Sequence, residues 1–209
     1  MRQLLDGGVT VIAVDLLYQG EFLPNGLDRL EKARRVDDPK NARDAACFTY
    51  GYNPPVFAQR VRDVLSAVRV AKGRLPGARD APPNSWPHDV DLVGLDGGAA
   101  WALAAKAEAR TEVSRVAVDT DGFRFAKIRS IDDPDFWPGV AKYGDILALL
   151  AFDNDGQLGV AGEGPAGPDI VAPLAMVEGV HDPFIKIKAS FFAGPADQRD
   201  TKLIRWLLQ

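Results

Sequence analysis

The sequence predicts an α/β protein built on a doubly wound, mostly parallel open sheet, and three observations predict it. Short apolar runs rich in β-branched residues occur at 9–17 (VTVIAVDLL), 90–95 (VDLVGL), 113–118 (VSRVAV) and 158–161 (LGVA). The first, bounded by Gly7-Gly8 and Gly20, has the signature of a strand buried on both faces. Segments with helical spacing separate the runs, and strand alternating with helix implies parallel strands joined by crossovers. Glycine and proline pairs punctuate the boundaries at Gly7-Gly8, Pro54-Pro55 and Gly97-Gly98.

The 209 residues, 46% hydrophobic and 26% charged, suit one domain spanning 1–209. A net charge of -4, with both signs mixed along the chain, gives no electrostatic reason to expect nucleic acid or an anionic membrane as partner. The single cysteine, Cys47, excludes an internal disulfide and reads as a packed thiol. No apolar stretch approaches the roughly 18 residues of a membrane helix. Asp6, Gly7 and Gly8 interrupt the apolar region that a signal peptide needs, so no export signal is expected within this chain and the compartment stays open.

Taken in order, residues 9–17 are expected as the first strand, and the charge-rich stretch 28–44 as a surface excursion. Pro54-Pro55 opens a helix, because proline is tolerated in a first turn. Phe57, Val61, Val64, Leu65 and Val68 give that helix one buried face, and Lys72-Gly73 ends it. The strand 90–95 leads through Gly97-Gly98 into a helix over 99–109, and 113–118 is the next strand. An irregular stretch then precedes a helix near 140–150. Strands at 158–161 and 185–192 and a closing helix over 201–208 complete the pattern.

Ligands of such sheets lie beyond the carboxyl ends of the strands, so the residues following each strand are the candidates for chemistry. The most informative are Gly94-Leu95-Asp96-Gly97-Gly98, a G-x-D-x-G pentapeptide between strand and helix. It has the shape of the nucleophile elbow G-x-S-x-G, with aspartate where serine stands. A plainer reading makes Asp96 the N-cap of the following helix. Asp119 and Asp121 follow the third run, and Glu163 and Asp169 follow the fourth. Each is also a good turn residue, Asp121-Gly122 especially. The chain has two histidines, His88 and His181. No metal site is expected: Asp119-Thr120-Asp121-Gly122 and Asp153-Asn154-Asp155-Gly156 are too short for a calcium loop. The glycine spacing does not match a dinucleotide fingerprint, and no cofactor is expected.

Residues 14–21 (VDLLYQGE), 50–53 (YGYN), 57–65 (FAQRVRDVL), 117–123 (AVDTDGF) and 133–136 (DPDF), with the pentapeptide, resemble the acetyl xylan esterase and dienelactone hydrolase-like members of the α/β-hydrolase superfamily. The resemblance covers about Gly8 to Glu163. It implies an α/β-hydrolase-like sheet whose N-terminal strands are missing, together with the loop that supplies one oxyanion-hole N–H. It also implies ester hydrolysis by a triad, with Asp96 at the nucleophile position, Asp121 as acid and His181 as base. The substrate would be a small ester or an acetylated carbohydrate.

The fit is incomplete. A carboxylate nucleophile suits ester cleavage poorly, and Gly97 stands where a dehalogenase-like site carries an aromatic residue. His181 precedes the last expected strand, whereas the resemblance places a histidine after it, at residues 193–197 (AGPAD). Two functions follow as expectations: a carboxylic-ester hydrolase with an incomplete triad, or a non-catalytic binding or structural module that kept the fold. Missing central strands leave open sheet edges, which implies either a segment upstream or a homo-oligomer.

Overall fold

The structure, a computed structural model, describes residues 2–23, 47, 50–73, 89–152, 157–168 and 189–209. Its centre is a four-stranded, all-parallel sheet in the order β1-β2-β3-β4, with β1 Leu92–Gly94, β2 Val116–Asp119, β3 Leu158–Ala161 and β4 Ser190–Phe192. The two inner strands, β2 and β3, are buried at every residue. That is why their sequences are apolar without alternation.

Helices cover both faces. On one, α2 (Ala99–Ala109) and α3 (Asp145–Phe152) pack on Val116, Val118, Leu158 and Val160. On the other, α4 (Ala196–Leu207) sets Leu203, Ile204 and Leu207 against Ala117 and Ala161, joined by Leu4 of the short N-terminal helix Arg2–Asp6. Gly159 of β3 lies under the Trp206 ring, where a Cβ would come within 2.7 Å of ring carbon. Only glycine lets helix and strand approach that closely. The helix Val56–Ala71, here α1, lies outside α2 and turns Phe57 and Val68 inward. Pro55 is its N-cap, and Lys72 with Gly73 at φ 67° closes it.

Several expectations are corrected. Residues 9–17 form no strand: they take no regular secondary structure and have no ladder partner among the described residues, and Val9, Ile12 and Val14 are exposed. The run has strand-forming residues, but no described strand lies beside it. Its ends are instead tied to helices, since Val11 packs on the α4 cluster and Leu16 is buried in the main core. The helix expected near 140–150 is split, because Gly144 at φ 98° ends a single tight turn over Val140–Tyr143 before α3 starts. The closing helix begins at Ala196 rather than Thr201, directly after Pro195. Cys47 is exposed rather than packed. The stretches 28–44 and 185–188 lie outside the described residues.

A buried cation ties the irregular segments to this frame. Arg60 of α1 donates from Nε to Leu17 O at 3.1 Å and from Nη1 to Asp135 Oδ1 at 3.2 Å. Its guanidinium lies 4.7 Å from the Trp101 ring centroid, and Trp101 Nε1 donates to the same Asp135 oxygen at 3.0 Å. Around it, Phe57 stacks on Trp137 at 4.9 Å and meets Phe125 edge-on at 5.2 Å, which pins the loop after β2 against α1. Arg60→Ala would strand the Asp135 carboxylate and remove the tether on Leu17. The expected loss is about 3–5 kcal/mol, read as a fall in the denaturation midpoint. Arg60→Lys, which lacks the planar fork, should recover only part of it.

Candidate functional site at the strand ends

The turn after β1 decides how Asp96 is presented. Asp96 adopts φ 50° and Gly97 φ 89°, and α2 starts at Ala99 with Gly98 as its N-cap. A Cβ on Gly94 would sit 2.7 Å from Gly98 O and 2.9 Å from the Ala102 Cβ. Strand and helix therefore close on each other without side chains between them, and the residue at the tip is held in a left-handed conformation that costs an L-residue about 1 kcal/mol. The helix-cap reading of Asp96 fails, because the cap is two residues further on. Asp96 is exposed, and among the described residues nothing hydrogen-bonds to its carboxylate.

Asp119, at the end of β2, is buried and accepts from the Asp121 N–H at 3.0 Å. Asp121, at φ 45°, points its carboxylate to solvent. Arg199, from the first turn of α4, joins the two. Its Nε donates to Asp119 Oδ2 at 2.8 Å and its Nη2 to Asp121 Oδ1 at 2.7 Å. These two hydrogen bonds raise the guanidinium's pKa further above its usual value. Asp200, next along α4, feels the charges of Asp119 and Asp96 as well as Arg199. At the strand ends, then, Asp119 and Asp121 share one arginine, and Asp200 feels the charges of Asp119 and Asp96.

Glu163, after β3, is committed elsewhere. Its side chain is only 3% exposed, Arg124 binds it bidentately at 2.8 and 2.6 Å, and the Thr120 hydroxyl donates to it at 2.6 Å. A carboxylate with both oxygens so occupied is a brace between the β2 and β3 loops. Of the proposed triad, Asp96 and Asp121 stand at the same end of the sheet, but Asp121 is engaged by an arginine. His181, His88 and Asp169, with residues 153–156, lie outside the described residues. Among the described residues no group of three or more metal-ligating side chains gathers, and no helix is long and apolar enough to cross a membrane.

Sequence reasoning missed Arg199. Its signal was position: the first turn of a helix that directly follows the last strand, hence at the carboxyl end of the sheet. Comparison with family models, curated proteins and solved structures finds no match.

Burial, and then the neighbouring Asp119 carboxylate, push Asp200 above the usual carboxylate range, with Asp96 acting in the same sense and Arg199 partly offsetting. A raised folded-state pKa means that the folded chain holds this proton more tightly than the unfolded one. That contribution is present below the ordinary carboxylate pKa and is lost as pH rises through the folded value. At neutral pH the ionised group is therefore a net cost. Asp200→Asn should raise Tm by about 1–2 °C at pH 7. The gain should vanish by about pH 3.5, where both proteins are neutral at this position.

Proposed function

We propose that this chain is an α/β-hydrolase-fold member related to carboxylic-ester esterases of the acetyl xylan type, that its triad is incomplete, and that it serves as a non-catalytic module. The observation that carries the second half is Arg199. The resemblance requires a histidine between the last strand and the last helix, poised to move a proton at the elbow. The chain has no histidine there, and the side chain that enters this space from α4 is a guanidinium bonded to Asp119 and Asp121. Arginine stays protonated at any working pH and cannot act as a base.

The first half rests on the turn at Asp96. A strained residue between Gly94 and Gly98, at the carboxyl end of a parallel strand and the start of a helix, is the arrangement that exposes a nucleophile in this fold. The same turn supports a second reading, in which Asp96 attacks directly. A carboxylate needs no base for attack, but its acyl product is an anhydride-like species whose hydrolysis still needs an activated water.

The test is hydrolysis of p-nitrophenyl acetate and of acetylated xylan by the wild-type protein and Asp96→Asn, with melting curves for both. Neither protein should exceed the buffer rate. The two Tm values should agree to within about 2 °C, because asparagine tolerates the left-handed conformation and Asp96 caps nothing. Saturable turnover that disappears in Asp96→Asn at unchanged Tm would overturn the non-catalytic reading and establish a carboxylate nucleophile.

A further inference from the structure

Two features of this chain are incomplete in complementary ways. The first is the outer edge of β1. Leu92 N donates to Arg115 O at 2.9 Å and Ser114 N to Val90 O at 2.8 Å, so residues 90 and 92 present their backbone groups to β2. In a parallel ladder the alternate residue faces the other way, and Val93 turns its N–H and C=O outward. Among the described residues no strand takes them, and the Val93 side chain is 38% exposed. An open edge of this kind is a template for another strand.

The second feature is residues 9–14 (VTVIAV). Five of these six residues are β-branched and none is charged, which is strong strand-forming composition. Yet Val9, Ile12 and Val14 are 43%, 52% and 44% exposed, and the run joins no ladder among the described residues. Leu17 N donates to Asp63 Oδ2 at 2.9 Å and Leu17 O accepts from Arg60, which fastens the end of the run to α1.

We propose that residues 9–14 of a second copy of this chain pair with the open edge of β1, and that the exchange is reciprocal in a symmetric dimer. Each copy offers the strand that the other's edge lacks, which is the self-complementarity that a two-fold interface requires. Pairing of β1 with β1 of the second copy is the competing arrangement. That arrangement would leave the strand-forming run 9–14 of both copies unpaired and exposed. The inference does not depend on the chemistry at the strand ends.

Size-exclusion chromatography with light scattering reads the mass of the full chain at about 50 µM, where a dimer of micromolar affinity is mostly formed. A dimer is expected, and a monomer would overturn the proposal. Val93→Pro, which removes only an outward N–H, and Ile12→Asp should each weaken the dimer at least tenfold while circular dichroism stays native-like. A dimer unchanged in both variants would overturn the proposal.

A disulfide assignment guards against misfolded variants. In a Cys47→Ser background, Ile12→Cys chains are mixed with Val93→Cys chains under mild oxidation. A mixed disulfide between the two species is expected. Disulfides found only between two Val93→Cys chains would show β1–β1 pairing and reject this arrangement.

Discussion

The structure depends on one buried positive charge. Arg60 is 4% exposed, and its partners come from three separate stretches of chain: Leu17, Trp101 and Asp135. Burial lowers the guanidinium's pKa and raises that of Asp135, so desolvation outweighs attraction on both sides of the pair. Such a pair adds little net stability over a well-packed apolar alternative. What it adds is specificity. A carboxylate and a guanidinium in that interior must find each other, and the geometry that satisfies both fixes the loop at Asp135 against α1 and against Trp101 of α2. Asp145 does a smaller version of the same work, accepting from the N–H groups of Phe125 and Ala126 and so fixing the turn after β2 to the start of α3.

With those loops fixed, the strand ends become a defined place. β2 is buried along its whole length and delivers Asp119 to the rim, where Arg199 arrives from a helix on the opposite face of the sheet from α2. Two guanidiniums answer three of the carboxylates there, and Asp96 and Asp200 leave the rim negative. Arg199 answers Asp119 and Asp121, and Arg124 answers Glu163. A triad needs a different economy, with one acid free to orient one base and the base free to exchange a proton.

The fold was legible where the sequence pattern and the local structure share a cause. α2 and β3 were placed to the residue, because a short apolar run and a helix opened by paired glycines both coincide here with the local structure. The run at 9–17 misled for a physical reason. Composition reports how well a segment would serve as a strand, and it does not report whether a neighbour is present to pair with it. Gly144 split a helix whose apolar spacing runs across it, since the spacing continues through a residue that the backbone does not follow. The segments that carried the family resemblance proved to touch one another: Tyr50 lies against Phe136 at 5.5 Å, and Arg60 holds Asp135. At the site, the elbow glycines were legible because a missing Cβ is a local requirement. The Arg199 clamp was not, because it joins residues about eighty positions apart and leaves no periodic trace.

One asymmetry at the rim bears on what the site is for. A strand-to-helix turn can be made at no strain by placing glycine at its tip, and this chain already has glycine on both sides of the pentapeptide and next to Asp96. It nevertheless holds an aspartate at φ 50°, exposed and capping no helix. Backbone strain at a position with no packing role points toward function, and the argument properly runs in that direction. The strain at Asp96 presents a carboxylate to solvent at the carboxyl edge of the sheet, the same edge at which Arg199 holds Asp119 and Asp121.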